Sequence, residues 1–203
     1  AFAEGKDIHK ATAAEVFNLP LEQVSSEQRR SAKAINFGLI YGISAYGLAR
    51  QLKIENIEAK NIIDTYFAKY KRVKEYMEEL KETAGKNEYV ETMHGRKVFL
   101  PNITHSNFQV RSAAERTAIN APIQGTAADI LKIAMIDISQ WLQSNKIHNI
   151  FMIMQVHDEL VFELKKSDIE HYSEKISNIM SEAENLSVPL VVNTFSGSNW
   201  QDT

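Results

Sequence analysis

Apolar residues recur with a helical period through most of the first half of the chain. Asp7 can cap a short helix that ends before Pro20, and Ser25 with Gln28 three residues later forms a capping-box pattern for a second helix. The same periodicity continues to the middle of the chain. It predicts helices over residues 26–41, 45–52, 57–68 and 73–86.

The second half of the chain mixes strand and helix patterns. A hairpin is predicted around Gly95, and a second, more apolar one over residues 152–164. Between them the pattern predicts a helix over 106–120, a break at Pro122 and a helix over 126–143. An amphipathic helix over 167–183 and a strand over 188–195, with Pro189 near its start, complete the prediction.

This order of elements indicates the α+β class, with helices first and a hairpin-helix-strand unit last. We expect two lobes that meet near residues 102–107. The first, residues 1–105, is mostly helical with a small hairpin near 89–100. The second, residues 106–203, holds helices, the apolar hairpin, a further helix and the final strand.

Composition narrows the classes of protein to consider. The 203 residues contain no cysteine, which excludes disulfides, thiolate zinc sites and a cysteine nucleophile but leaves oxygen-ligated metals open. Apolar runs fall short of the roughly 18 residues of a membrane-spanning helix.

The charge is uneven along the chain. Residues 1–120 hold 18 Lys+Arg and 15 Asp+Glu, whereas residues 121–203 hold 5 Lys+Arg and 11 Asp+Glu. We expect a cytoplasmic, monomeric protein. The uneven charge fits a protein whose first part meets phosphate and whose second part holds cations, although it fits many other proteins too.

The helix predicted over 26–41 has a distinctive face. Arg29, Lys33, Phe37 and Tyr41 are spaced by four, so two cations and then two aromatic rings follow one another over about 18 Å. An elongated ligand with anionic groups at one end and a planar ring at the other would match this face, as a nucleoside triphosphate does. The alternative is that the cations are a solvated surface and the aromatic rings are core. The opposite, apolar stripe is formed by Ala32, Ile35 and Leu39.

The apolar hairpin places ionisable residues between two hydrophobic segments. Asp158 at a turn can serve local backbone geometry alone. The flanking segments are apolar on both faces, which predicts a buried, central hairpin whose carboxylate a divalent cation would compensate. Glu159 is a possible second ligand. A two-metal site needs carboxylates from more than one segment, and the sequence is short of one ligand.

Three long segments resemble the family A DNA polymerases. RRSAKAINFGLIYG (29–42) is similar to the nucleotide-binding helix of their fingers, QVHDEL (155–160) to a hairpin of their palm, and ERTAINAPIQGTAAD (115–129) to a segment that grips primer-template. DIHKATA (7–13) and SNW (198–200) also match. The likeness extends over essentially the whole chain and implies fingers followed by the later part of a palm.

The resemblance implies roles at the matching positions. His9, Arg29 and Lys33 would hold the incoming dNTP by its triphosphate, with Lys33 also a proton donor to the pyrophosphate. Phe37 would stack near the sugar and base, and Tyr41 would guard the templating position. Contacts with primer-template DNA would come from Arg111, Arg116, Asn120, Gln124 and His157, with the 69–74 region as a further phosphate contact.

The same likeness implies a Mg²⁺-dependent enzyme of DNA replication and repair. Asp158 would be one of two aspartates ligating two Mg²⁺ ions, with Glu159 in support. In the family the strand bearing the other aspartate precedes the segment that matches Ala1, so we expect the chain alone to be inactive. Two other classes stay open. They are a non-catalytic nucleic-acid-binding module and a His-Asp metal phosphohydrolase built on His157 and Asp158.

Overall fold

The computed structural model describes residues 5–199, which divide into two compact units within 1–125 and 126–203. Helices dominate, and two small antiparallel sheets accompany them, which confirms the α+β class. The elements over these residues are α1 (Ile8–Val16), α2 (Ser26–Ile40), α3 (Ala45–Leu52), α4 (Asn56–Lys69), α5 (Lys71–Asn87), β1 (Tyr89–Glu91), β2 (Lys97–Phe99), α6 (Phe108–Ser144), β3 (Ile150–Val156), β4 (Glu159–Leu164) and α7 (Ile169–Ser181), with 3₁₀ turns at Leu21–Gln23 and Lys166–Asp168.

The first two helices begin where their capping signals predict. The Asp7 carboxylate accepts from the backbone N–H groups of His9 and Lys10 at the start of α1. The capping box of α2 forms in full: the Ser25 hydroxyl accepts from the Gln28 N–H, and the Gln28 side chain accepts from the Ser25 N–H. These bonds satisfy amide groups that a helix start otherwise leaves unpaired.

Two apolar clusters stabilise the first unit. One joins α2, α3 and α4 through buried side chains that include Ile35, Leu48 and Tyr66. The other packs α5, the β1-β2 hairpin and the first part of α6, with Val90 and Ala118 among its buried members. The first cluster fixes the orientation of α2, because its members on that helix are almost fully buried.

The predicted break at Pro122 is wrong, because α6 runs without interruption for 37 residues. A proline inside a helix removes one hydrogen bond and crowds the preceding turn, at about 3 kcal/mol. The surrounding segment is rich in alanine, the best helix former, and buries Ala114 and Ala118 in one unit and Ala134 and Ile138 in the other. Packing on both sides of Pro122 therefore outweighs the local penalty.

The apolar hairpin forms as predicted, but its burial was predicted wrongly. Strands β3 and β4 pair from Ile150↔Leu164 to Val156↔Glu159, with an irregularity between Met152 and Met154. Phe151 and Ile153 are each more than half exposed. A two-stranded ribbon has two open faces, and within residues 5–199 no third strand pairs with it.

The predicted strand over 188–195 is also wrong. These residues form no regular element, and Val191 and Phe195 are exposed. A strand exists only when a neighbour takes its N–H and C=O groups, and within the described range this segment pairs with none. Trp200, the last residue of the SNW match, lies outside the described residues.

The boundary expected between residues 105 and 106 stays a prediction. It separates the fingers and palm subdomains that the resemblance implies, and compact units of the chain need not coincide with such subdomains. The division between the compact units lies inside α6, after Gly125. Gly125 has a packing role there, because a Cβ atom on it would lie 2.6 Å from the Cγ2 of Thr92. None of the helices over residues 5–199 has the length and apolarity needed to cross a membrane.

The capping box of α2 makes a testable contribution to stability. We expect Ser25→Ala to lower the free energy of unfolding by about 1 kcal/mol, because it leaves the Gln28 N–H without its acceptor. Denaturant unfolding of the chain measures the change. Ser26→Ala, one position into the helix, is the matched control and should have a smaller effect. Equal effects of the two substitutions would contradict the role of the cap.

Candidate functional site

Helix α2 has the two faces that its sequence predicts. Ala32, Ile35 and Leu39 are buried, whereas Phe37 and Tyr41 each keep 43% of their surface exposed. The Phe37 and Tyr41 rings stack with their centroids 6.1 Å apart. Arg29 and Lys33 are exposed on the same side of the helix as these rings.

This face forms one wall of an open groove of about 1400 Å³. The stripe of Arg29, Lys33, Phe37 and Tyr41 lines it, and the Lys33 Nζ lies 5.9 Å from the centre of the Phe37 ring. The groove therefore has cations towards the start of α2 and aromatic surface towards its end. Such a gradient suits a ligand that is anionic at one end and planar at the other.

The opposite wall comes from the first turns of α6. Phe108, Gln109, Ser112 and Arg116 line it, and all belong to the same compact unit as α2. Of these, sequence analysis identified Arg116 alone. The spacing of four from Phe108 to Ser112 to Arg116 is the signal that could have found Phe108 and Ser112.

The two walls approach each other closely at Gly42. This residue follows α2 with φ of 72°, a left-handed conformation that glycine adopts without strain. A Cβ atom at position 42 would lie 2.9 Å from the Cγ of Arg116. The missing side chain therefore allows the Arg116 stem to pass the end of α2.

Arg29 is held by a carboxylate that sequence analysis identified only as a helix cap. Its Nε donates to Asp7 Oδ2 at 2.6 Å, while the other oxygen of Asp7 caps α1. The Arg29 hydrogen bond is the main reason why the pKa of Asp7 lies below its ordinary value. One Nε–H is engaged in this way, and the two terminal nitrogens of Arg29 can still donate to a ligand.

His9 lies beside the same groove wall, with its ring centroid 5.6 Å from that of Phe37. Burial lowers the pKa of His9, and the positive charges of Arg29 and Lys33 lower it further, against the opposing effect of Asp7. The ring is therefore neutral at physiological pH. Its Nδ1 is 3.0 Å from the amide nitrogen of Asn36, a buried residue that sequence analysis missed.

Three of the four predicted DNA contacts on α6 share one stripe. Arg116, Asn120 and Gln124 follow one another at intervals of four, and Arg116 donates to the Ser112 hydroxyl at 3.0 Å. The Oδ1 of Asn120 is a buried oxygen to which no group in the described part of the chain donates.

Two other predicted phosphate contacts are already engaged. Arg111 donates to the His105 carbonyl at 2.8 Å and lies 3.8 Å from the Glu115 carboxylate. In the 69–74 region, Lys69 pairs with Glu15 at 2.8 Å. A phosphate at these positions would have to compete with groups of the chain itself.

The hairpin turn joins the other three predicted site residues. His157 has φ of 53°, which is uncommon for a residue with a side chain, and its carbonyl accepts from the Gln155 amide at 2.8 Å. Asp158 completes the turn, Glu159 opens β4, and both are exposed. The bond from Gln155 ties the turn to the end of β3.

The turn supplies donors of the kind that Mg²⁺ prefers, since carboxylate oxygens are its usual protein ligands. Two adjacent carboxylates are nevertheless too few for a complete site. Over residues 5–199 no three His, Cys, Asp or Glu side chains come together in a way that could hold a metal ion. These residues alone therefore do not fit a bound ion.

Comparisons with known proteins agree with one another. The sequence model of the family described as DNA polymerase family A matches residues 1–202. DNA polymerase I of Pseudomonas aeruginosa is 54% identical over 202 residues, which are 100% of this chain and 22% of that protein. DNA polymerase I of Geobacillus stearothermophilus is 46% identical, again over 100% of this chain and 23% of the relative.

A solved structure is similar as well. It is described as the POL domain of Pol1 from M. smegmatis in complex with DNA primer-template and dNTP. The TM-score is 0.88 at 43% identity, and the match covers 94% of this chain and 33% of the other. The chain spans less than a quarter of the two curated relatives.

The Asp7–Arg29 pair predicts an acid dependence of stability. Because the folded pKa of Asp7 is lowered, its charge stabilises the fold above the ordinary pKa of 3.8, and this contribution is lost as the pH falls through the folded value. We expect carboxyl NMR titration to find Asp7 below 3.8, and Arg29→Gln to raise its pKa. Both partners are substantially exposed, so the effect on stability is small.

Asp7→Asn is the matched control for this titration. It keeps a side-chain oxygen that can cap α1 but removes the charge, so unfolding should lose the acid-dependent contribution and retain the helix. An Asp7 pKa that does not move in Arg29→Gln would show that the arginine is not its cause.

Proposed function

Because this chain belongs to DNA polymerase family A, we propose that it is the part of a DNA-directed DNA polymerase that binds the incoming nucleotide and contributes a catalytic carboxylate. The intact enzyme would join a dNTP to the 3′ end of a primer and release pyrophosphate. The observation that carries the proposal is the groove beside α2, with cations at one end and stacked rings at the other. We also propose that the protein is a monomer and that it acts in the bacterial cytoplasm on intermediates of DNA replication and repair.

The groove orients the nucleotide in one direction. Arg29, Lys33 and His9 would bind the triphosphate. Arg29 and Lys33 line the groove towards the start of α2, His9 lies beside Phe37, and all three can donate N–H groups. Phe37 would stack near the sugar and base, and Tyr41, where α2 ends, would limit access to the templating position. Lys33 would also donate a proton to the departing pyrophosphate, which neutralises charge as the leaving group forms.

We assign primer-template to the stripe on α6. Arg116 would bind a phosphate, while Asn120 and Gln124 would bond to base edges in the minor groove, where acceptors common to all base pairs allow contact without sequence preference. Arg111 and His157 are further contacts in the same proposal. The structural neighbour, whose description includes primer-template and dNTP, supports both ligands.

In the intact enzyme, Asp158 would be one of several ligands of Mg²⁺, with Glu159 in support. When bound, two Mg²⁺ ions would stabilise the attacking and leaving oxygens of the transfer. The chain's own contribution is to hold Asp158 in a tight turn whose geometry the Gln155 hydrogen bond maintains. We infer that the 203-residue chain alone does not extend primers, since the two carboxylates of the hairpin are too few for a two-metal site and the described residues bring no third ligand to them.

Nucleotide binding tests the role of α2. We expect Lys33→Ala to weaken binding of dATP to the chain about tenfold or more, because one charge-assisted hydrogen bond to phosphate is lost. Fluorescence or calorimetric titration provides the affinities. Lys60→Ala, on the exposed surface of α4, removes the same charge outside the groove and should leave affinity unchanged. Equal losses in both variants would indicate non-specific electrostatic attraction and no specific role for Lys33.

Primer extension tests the role of Asp158. In the complete polymerase that contains this chain, we expect Asp158→Ala to abolish extension while dATP still binds, because the metal ligand and not the α2 groove is changed. Asp64→Ala, on the exposed side of α4, is the control and should extend normally. Normal extension by Asp158→Ala would remove the metal role, and robust extension by the chain alone would overturn its inactivity. Binding of primer-template with no response to a matching nucleotide would instead favour a non-catalytic binding module.

A further inference from the structure

Two buried polar side chains connect α1 to α2. Thr12 on α1 is fully buried, and Asn36 on α2 is 7% exposed. The Thr12 hydroxyl lies 3.1 Å from the Oδ1 of Asn36 and 2.9 Å from the Ile8 carbonyl. The amide nitrogen of Asn36 lies 3.0 Å from the Nδ1 of His9. A single amide thus bridges a buried hydroxyl and an imidazole.

Stability alone gives no reason for an amide at this position. Asn36 lies between the buried Ile35 and the ring of Phe37, and asparagine is a weak helix former. Burial of an amide is costly unless both its ends are hydrogen-bonded, which is why the bonds to Thr12 and His9 are needed. An apolar residue there would avoid this requirement, but it would leave Nδ1 of His9 without its partner.

The contact between Asn36 and His9 determines which ring nitrogen of His9 can donate a hydrogen bond to a ligand. A neutral imidazole has one N–H donor and one acceptor nitrogen. When the Asn36 amide donates to Nδ1, the ring proton resides on Nε2. Nδ1 is occupied by the protein, so Nε2 is both the available nitrogen and the one that donates.

We propose that Asn36 is a positioning residue of the nucleotide site, which keeps the N–H of His9 on Nε2 so that the ring donates to a triphosphate oxygen while uncharged. The inference rests on the proposed function, because it assumes that His9 meets the triphosphate. The Thr12 hydroxyl anchors the other end of the amide through its contact with Oδ1.

The electrostatic surroundings explain why an uncharged donor is useful. Arg29 and Lys33 already supply two positive charges on the facing helix, Asp7 supplies a negative one, and burial adds to the cost of a third cation. A charged His9 would repel its two neighbours in the free protein. A neutral ring with a fixed Nε2–H adds a phosphate donor without this repulsion.

Nitrogen NMR of the imidazole tests the proposal directly. In the chain labelled with ¹⁵N at histidine, at about pH 8 where the ring is neutral, we expect His9 to show the Nε2–H tautomer. Asn36→Asp replaces the amide with a carboxylate that accepts from Nδ1, so His9 should change to the Nδ1–H tautomer. An Nδ1–H tautomer in the unmodified chain, or no change in Asn36→Asp, would overturn the proposal.

Binding of dATP with Mg²⁺ then measures the consequence. We expect Asn36→Asp to weaken affinity about tenfold, the loss of one hydrogen bond to a charged group, and to have little further effect once His9→Ala is present. Additive losses would show that Asn36 acts without His9 and would overturn its positioning role. Asn61→Asp, exposed on α4, adds the same charge elsewhere and is the matched control.

A second pair of variants covers a failure of Asn36→Asp to fold. Thr12→Ser keeps the hydroxyl, whereas Thr12→Val replaces it with a methyl group of similar size. We expect Thr12→Val to mix the two His9 tautomers and to weaken binding about two- to tenfold, while Thr12→Ser stays close to the unmodified chain. Identical tautomers in both variants would overturn the anchoring role.

The two measurements separate this inference from the proposed function. If the unmodified chain binds no nucleotide, the proposed function fails, whereas the tautomer of His9 still tests whether Asn36 positions the ring.

Discussion

The burial of one side of α2 determines what its other side offers to a ligand. Ala32, Ile35 and Leu39 pack into the core of the first unit and leave the helix no freedom to rotate about its axis. With a period of 3.6 residues, this anchoring directs a stripe of residues four apart into the groove. The order of charge and aromatic surface along the groove is therefore a consequence of core packing, and the capping box sets where that order begins.

Electrostatic balance around the groove is equally specific. The wall contains Arg29 and Lys33, yet Asp7 pairs with the arginine, and burial keeps His9 neutral. Three cationic side chains without a compensating anion would repel one another in the free protein and would attract any anion. The observed arrangement keeps the N–H donors of the groove but limits its net positive charge. A ligand is then selected by the geometry of its hydrogen bonds as well as by electrostatic attraction. Helix α1 provides this balance, because Asp7, His9 and Thr12 all lie within or next to it.

Local sequence signals predicted most of the helices and the main groove wall, because caps and spacings of four act within a few residues. Predictions that depended on contacts between residues far apart in the sequence were less accurate. Pro122 is tolerated inside α6 because packing on both sides offsets its cost, and residues 188–195 form no strand because no neighbour pairs with them. The supporting contacts of the site escaped prediction for the same reason. Asp7 and Arg29 are 22 residues apart, and His9 and Asn36 are 27 apart.

The close approach of Gly42 to Arg116 limits how the groove can be altered. Position 42 combines a left-handed backbone with a space that one extra carbon would fill, so two independent penalties act against every other amino acid there. Tyr41, the preceding residue, has an exposed ring and neither constraint. Substitutions at position 41 therefore avoid both of these penalties, whereas position 42 requires glycine.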